Sequence, residues 1–296
     1  MKQFCTHPLL LSIFFVLICN QGLQAQVIKI QEVDVSAAEA PMASAPFADY
    51  IEKARNDWQV PGMAVAIVKD GQVVLAKGFG VREAGKPEQV DADTLFAIAS
   101  NTKAFTSAAL AMLVDEGKIG WDDHVTDYLP WLRLKDPMTR DMRIRDLLCH
   151  RSGLGTFSGD LVWWGTDYSP KEVLERAAEL NPAAAFRAKY GYTNLMFLAA
   201  GLVIEEASGQ SWSDFVTSRI LQPVQMNRTV ASVKGLLSKG NFATPHKTLL
   251  SEYKPLEWMD WDNMAAAGGI ISSVNDMAKW MQVQLQRGEI LAADGT

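Results

Sequence analysis

The sequence predicts an α+β fold, with an antiparallel hairpin near its start, a large helical region in the middle and few strands after it. Two β-prone runs, residues 63–69 and 72–79, are joined through Asp70-Gly71, a pair that supplies the positive backbone angles a tight hairpin turn needs. From Ser100 onward, helical periodicity, caps and breakers dominate. A two-stranded pair is marginal by itself, so the hairpin requires more strands or a helix to cover it.

Taken in chain order, the first segment stands apart from that fold. Lys2, the apolar run 9–18 and the small Ala25 within Leu23-Gln24-Ala25-Gln26 read as the three regions of a secretory signal peptide over residues 1–25. The run is too short to span a bilayer. Export to the periplasm or the medium is expected. Lipidation at Cys19 is the alternative, weakened by Ile18, because the residue before a lipidated cysteine is usually small. Residues 26–46, rich in Ala, Ser, Glu and Pro, read as a linker, and residues 47–58 as a helix that Pro61-Gly62 breaks. After the hairpin, an apolar helix is expected from Ser100 to about residue 114. Ser169-Pro170-Lys171-Glu172 is a capping box with proline at the first helical position, opening a helix to about residue 180. Further helices are expected over 194–208, closed by Gly209, over 211–221, and over 275–286, stopped at Gly288.

A chain of 296 residues, 48% hydrophobic with a net charge of -6, can bury a substantial core and lacks the basic surplus of a nucleic-acid binder. With Cys5 and Cys19 inside the signal, the mature chain keeps only Cys149 and has no internal disulfide. Cys149 reads as a small buried hydrophobe and not as a catalytic thiol beside His150, since adjacent helical residues point in different directions. His124, His150 and His246 show no metal-ligand spacing, and no cofactor is implied.

The candidate chemistry begins at Phe96-Ala97-Ile98-Ala99-Ser100-Asn101-Thr102-Lys103. If a helix begins at Ser100, Ser100 and Lys103 share one face of its first turn. A desolvated lysine can become the neutral base that a serine nucleophile needs, and the helix N-terminus favours the alkoxide. The competing reading is that Ser100 is an N-cap and Lys103 a solvated charge. Ser251-Glu252-Tyr253-Lys254 repeats the spacing, but Pro255 disfavours a helical Lys254. Tyr190-Gly191-Tyr192-Thr193-Asn194 is the second feature. The phenol of Tyr192 has an ordinary pKa close to that of lysine, so the two can relay a proton if they meet, and the Asn194 amide can donate to a carbonyl or accept from the lysine. Tyr192 as a half-buried aromatic and Asn194 as an N-cap compete with that reading. Ser152 beside His150 reads as a turn with Gly153, since no Gly-x-Ser-x-Gly elbow occurs in the chain. Trp163, Trp164, Tyr168, Trp258 and Trp261 are candidates for lining a pocket for an apolar acyl group.

Together these segments resemble the serine β-lactamases and penicillin-binding proteins, in the branch of class C β-lactamases, DD-peptidases and related esterases. Besides the serine and tyrosine motifs, the resemblance is carried by Trp121-Asp122-Asp123, Tyr128-Leu129-Pro130, Asp146-Leu147-Leu148-Cys149-His150-Arg151-Ser152-Gly153-Leu154, Ala267-Gly268-Gly269-Ile270 and Asn275-Asp276-Met277-Ala278, in the family's order, over residues 47–296. It implies an antiparallel sheet with helices on both faces plus a large helical subdomain. It also implies a serine acyl-hydrolase: Ser100 attacks a carbonyl, Lys103 takes its proton, Tyr192 passes a proton to the leaving group and later activates water, and Asn194 positions Lys103 and the substrate. The partner is then a small-molecule or peptide substrate, namely a D-amino-acid peptide, a β-lactam or an ester, with no nucleic acid and no stable membrane span. A non-catalytic penicillin-binding sensor or interaction module, or an inactive fragment, is the alternative.

The family also carries a third element, Lys-Thr-Gly or His-Thr-Gly, on a strand downstream of the helix at 275–286, and neither tripeptide occurs here. By the resemblance that strand gives one of two oxyanion-hole N–H groups, the other being that of Ser100. The expectation is therefore an incomplete domain whose C-terminal strands are missing and whose hairpin is left partly uncovered.

Overall fold

A computed structural model of the chain describes residues 45–249 and 252–290. The segments read as a signal peptide and, up to residue 44, as a linker lie outside the described residues. Helix α1, Ala45–Asp57, begins two residues inside the expected linker. Strands β1, Gly62–Lys69, and β2, Gln72–Gly80, form the predicted hairpin, pairing Gly62 with Gly80 through to Lys69 with Gln72. The register slips between Ile67 and Val68, the mark of a bulge. At the turn Asp70 and Gly71 take φ of 51° and 76°, the left-handed pair that matches the twist of two antiparallel strands.

The short strand β3, Phe96–Ala97, leads into α2, Thr102–Asp115. Beyond it come the one-turn helices α3, Val125–Tyr128, and α4, Asp160–Trp163, then α5, Pro170–Ala177, opened by the predicted capping box at Ser169 and Glu172. Helix α6, Leu195–Ser208, ends at Gly209 as expected. Helix α7, Trp212–Val216, runs into a π-helical turn over Thr217–Leu221, so the single helix expected over 211–221 changes its winding midway. Helix α8, Leu236–Lys239, precedes a hairpin of β4, His246–Leu249, and β5, Glu252–Pro255, which the sequence reading does not anticipate. Helix α9, Ala265–Gly268, strand β6, Ile271–Ser272, and helix α10, Val274–Leu285, complete the described chain. Among the described residues the strands pair two by two, β1 with β2, β3 with β6 and β4 with β5.

Helix α6 organises the core. Its sequence is apolar almost all round, which suits a helix surrounded by protein, and nine of its residues from Leu195 to Ile204 are buried. It packs against α2, α5, α7 and α9. Helix α2 contributes Phe105, Ala109, Leu110 and Leu113, all without exposed surface, and the ring of Phe105 stacks on Trp280 of α10 at 4.1 Å. Helix α10 in turn lies against β1 and β2, with the Gln282 amide donating to the Gly71 carbonyl at 2.7 Å. That contact ties the hairpin to the helical core.

The family-like segments outside the candidate site are braces. Asp123 accepts from Tyr128 Oη at 2.7 Å and from the Gly120 N–H at 2.6 Å. Asp146 receives two bonds from the Arg187 guanidinium, Nε at 3.0 Å and Nη2 at 2.5 Å, a forked pair with fixed geometry. Burial raises the Asp146 pKa, yet this pair and the Arg143 N–H hold its carboxyl below the ordinary value. Among the described residues no helix is long and apolar enough to cross a membrane.

Candidate active site

Ser100 lies in a 3-10 turn over Ala99–Asn101 that runs directly into α2, so the helical winding starts one residue before Ser100 and is tighter there than the α-helical start that the spacing suggests, the α-helix itself opening at Thr102. Ala99, immediately before it, takes φ of 47°, a left-handed conformation unusual for a residue with a Cβ. The Ser100 side chain makes no capping bond. Instead it reaches Lys103 Nζ at 3.1 Å and forms a very close hydrogen bond with Tyr192 Oη.

Lys103 is not a solvated charge but 7% exposed, held by three acceptors: Ser100 Oγ, Asn194 Oδ1 at 2.8 Å and the Ala267 carbonyl of α9 at 2.7 Å. Its Nζ also lies over the rings of Tyr192 and Phe197, 5.0 and 5.3 Å from their centroids. Burial pushes its pKa down from 10.5 to about 8, against the opposing pull of the Asp160 carboxylate. Tyr192 moves the other way: burial raises its phenol above the ordinary value, although its bond to Ser100 works against the rise.

The Tyr192 segment is set by a zipper of backbone bonds. Gly191 N–H donates to the His150 carbonyl at 2.8 Å, and Phe157 N–H donates to the Tyr192 carbonyl at 2.7 Å. Only glycine fits at 191, because a Cβ there would stand 2.1 Å from the Leu154 carbonyl oxygen. The His150 ring stacks on Tyr192 at 4.4 Å between centroids, and its Nδ1 accepts from the Thr193 N–H at 3.3 Å. Accepting that bond needs an unprotonated Nδ1, and burial together with the nearby Lys103 charge lowers the His150 pKa. Ser152 and Gly153 form the expected turn in the same loop.

Asn194 occupies the N-cap position of α6 yet makes no capping bond. Its Oδ1 faces Lys103, and its Nδ2 donates to Asp160 at 3.1 and 3.3 Å. Asp160, on α4, also accepts from Trp163 Nε1 at 3.1 Å. The four residues singled out in the sequence thus meet at one place, while Asp160, His150 and the Ala267 carbonyl complete their surroundings. No local signal marks Asp160, and a backbone carbonyl carries no residue identity to read.

A cleft of about 170 Å³ opens beside Ser100 and Asn194. One wall is aromatic, made by Trp163, Trp164 and Trp261, and the other is small, with Ala99, Ala267 and Gly268. Trp164 and Trp261 also line a second cavity of about 680 Å³ that reaches Trp258. Tyr168 lies away from both, in a separate hollow. Cys149, expected to be buried, is exposed, because the segment 144–148 is a 3-10 helix whose end turns it outward; its Sγ contacts the Arg145 carbonyl at 3.1 Å. Lys254 stands on β5 with no helical frame. Among the described residues no group of three or more His, Cys, Asp or Glu side chains converges as a metal site would require.

A serine in contact with both a buried lysine and a tyrosine, carried by the head of α2 and the loop before α6, is the arrangement that the resemblance to the serine β-lactamase and penicillin-binding-protein superfamily implies. Residues 47–295 match the Beta-lactamase family, and the chain belongs to it. It is similar to the Unguisins hydrolase ungD' of Aspergillus campestris (strain IBT 28561), with 30% identity covering 84% of this chain and 48% of that protein. The chain spans about half the length of the curated relatives it matches. Among solved structures, the octameric penicillin-binding protein homologue from Pyrococcus abyssi aligns with a TM-score of 0.72 at 27% identity, over 82% of this chain and 56% of that one. The D-amino acid amidase from Ochrobactrum anthropi SV3, complexed with L-phenylalanine amide, aligns with a TM-score of 0.70 at 24% identity, over 81% and 69%, a likeness of fold. The fold is β-lactamase/transpeptidase-like, with the helical region and antiparallel pairing that the resemblance implies.

Proposed function

We propose that this chain carries the acylation site of a serine hydrolase that acts on an amide or ester through a covalent acyl-enzyme. The observation that carries the reading is that Ser100 Oγ touches both Lys103 Nζ and Tyr192 Oη, the serine and the tyrosine coming from positions 92 apart, beside a lysine whose pKa burial lowers to about 8. Neutral Lys103 takes the Ser100 proton as Oγ bonds to the carbonyl carbon. Collapse breaks the C–N or C–O bond, and Tyr192, protonated at neutral pH, hands a proton to the departing group. A water then attacks the acyl carbon and gives its proton to the Tyr192 phenolate, the bond from that carbon to Ser100 Oγ breaks, and Lys103 returns its proton to Oγ, so one difficult step is split into two. Asn194, tied to Asp160, holds Lys103 and leaves an amide edge in the cleft wall for the substrate. D-amino-acid peptides, β-lactams and esters share the required carbonyl chemistry. The signal-like pattern of residues 1–25 supports a site of action outside the cytoplasm.

The test is labelling of the full chain with a fluorophosphonate or labelled penicillin, with Ser100→Ala as control. Label that appears on Ser100 and is then lost supports a hydrolase. Label that persists points to a sensor that keeps the pocket and turns nothing over. Absence of any Ser100-dependent label rejects the acylation site.

A further inference from the structure

The cleft beside Ser100 has a size and a lining that the acyl-transfer residues do not explain. None of the side chains lining it carries a charge, and one whole wall consists of tryptophan and methionine: Trp163, Trp164, Trp261 and Met264. Its volume of about 170 Å³ is close to the roughly 150 Å³ at which an apolar protein cavity accepts a benzene ring. Trp163 and Trp164 stand 5.4 Å apart at 59°, tilted and not laid flat on one another, so neither covers the other's face. The Trp163 ring is fixed, since its Nε1 donates to Asp160, the same carboxylate that orients Asn194. The wall and the acylation residues are therefore set by one shared anchor. Trp164 is 57% exposed, an arrangement that leaves a large apolar ring at the mouth of a polar reaction centre.

We propose that this cleft is the acyl subsite for a single uncharged aromatic ring, so that the preferred substrates are esters or amides whose acyl group bears one such ring. The proposal rests on the hydrolase reading above and specifies its substrate class. Trp164 and Trp261 are common to this cleft and the 680 Å³ cavity beyond it, which makes them the barrier that limits the acyl group to one ring. A charged substituent on the ring is excluded because no lining side chain can pair with it.

The test compares p-nitrophenyl acetate, phenylacetate, 4-carboxyphenylacetate and 2-naphthylacetate on the full chain, each rate divided by that of hydroxide-catalysed hydrolysis. Burying one ring predicts that phenylacetate exceeds acetate by about 10- to 100-fold in kcat/KM, with the carboxylate analogue losing most of that gain. Trp163→Ala lowers the phenylacetate-to-acetate ratio by about tenfold, and Trp164→Ala raises the naphthylacetate-to-phenylacetate ratio. Should the Trp163 variant fail to fold, inhibition settles the point in the wild-type chain: 2-phenylacetamide slows acetate turnover and acetamide does not. A wild-type ratio near one, with acetate turnover that disappears in Ser100→Ala, overturns the aromatic subsite and leaves the hydrolase reading standing. Absence of Ser100-dependent turnover of every ester removes both.

Discussion

On the helical side, Phe105, Leu110, Leu195 and Ile204 have no exposed surface, whereas β1 contains no buried residue and β2 buries only Phe79. The candidate site draws its parts from the first region: Ser100 and Lys103 at the head of α2, Asn194 at the head of α6, the Ala267 carbonyl on α9. Close-packed interiors fix positions to fractions of an ångström, and a three-way contact among a serine, a lysine and a tyrosine needs that accuracy. The hairpin is held from outside by α1 and α10. Truncation to alanine should therefore cost more on the helical side than in the hairpin. Phe105→Ala should lower stability by about 3–5 kcal/mol in chemical denaturation, because a fully buried ring stacked on Trp280 leaves a cavity. Ile67→Ala, at a half-buried cross-strand partner of Leu75, should cost about 1 kcal/mol. Equal losses at the two positions would erase the distinction.

A sharper version of the comparison asks whether the site can be damaged with little loss of fold. Gly191→Ala forces a Cβ against the Leu154 carbonyl, and the strain is relieved by moving the strip that carries Tyr192. A displacement of about 1 Å in a reacting group is enough to cost on the order of a hundredfold in rate. The expected result is a loss of that order in Ser100-dependent labelling by a fluorophosphonate, with a smaller fall in stability than Phe105→Ala produces. Labelling at the wild-type rate would show that the zipper does not set Tyr192.

Much of this arrangement is legible in the sequence, and what is not has physical reasons. The hairpin could be read because Asp70-Gly71 encodes its turn locally and alternation encodes its strands. Helix α5 could be read because Ser169, Pro170 and Glu172 are a complete local start signal. Ser100, Lys103, Tyr192 and Asn194 are visible as two short motifs, but spacing alone is equally the mark of caps and a solvated lysine; burial of Lys103 by α6 and α9 is a tertiary fact. Asp160 is silent in the sequence for the same reason. It stands 34 residues before Asn194, on a one-turn helix, and its partners exist only after folding. The β4–β5 hairpin leaves no signal because its four-residue strands are too short to show alternation.

Asp160 also supplies the most delicate probe of the helical side. Burial lowers the Lys103 pKa to about 8, and the Asp160 charge pulls the other way by favouring the ammonium. With a pKa of about 8, roughly a tenth of the lysine is neutral at pH 7, against about three parts in ten thousand at the ordinary 10.5. If neutral Lys103 is the base, acylation of Ser100 must rise with pH through the region of about 8 and level off above it. Asp160→Asn removes the charge that favours protonation while keeping an acceptor for Asn194 and Trp163, so the Lys103 pKa falls and the rise moves to lower pH, by about one unit or less. Asp70→Asn, which removes a carboxylate from the hairpin turn, should leave the rise where it is. The measurement is the pH dependence of the labelling rate for the three proteins. A rise that stays fixed or moves upward in Asp160→Asn would mean that Lys103 is not the group whose deprotonation starts the reaction.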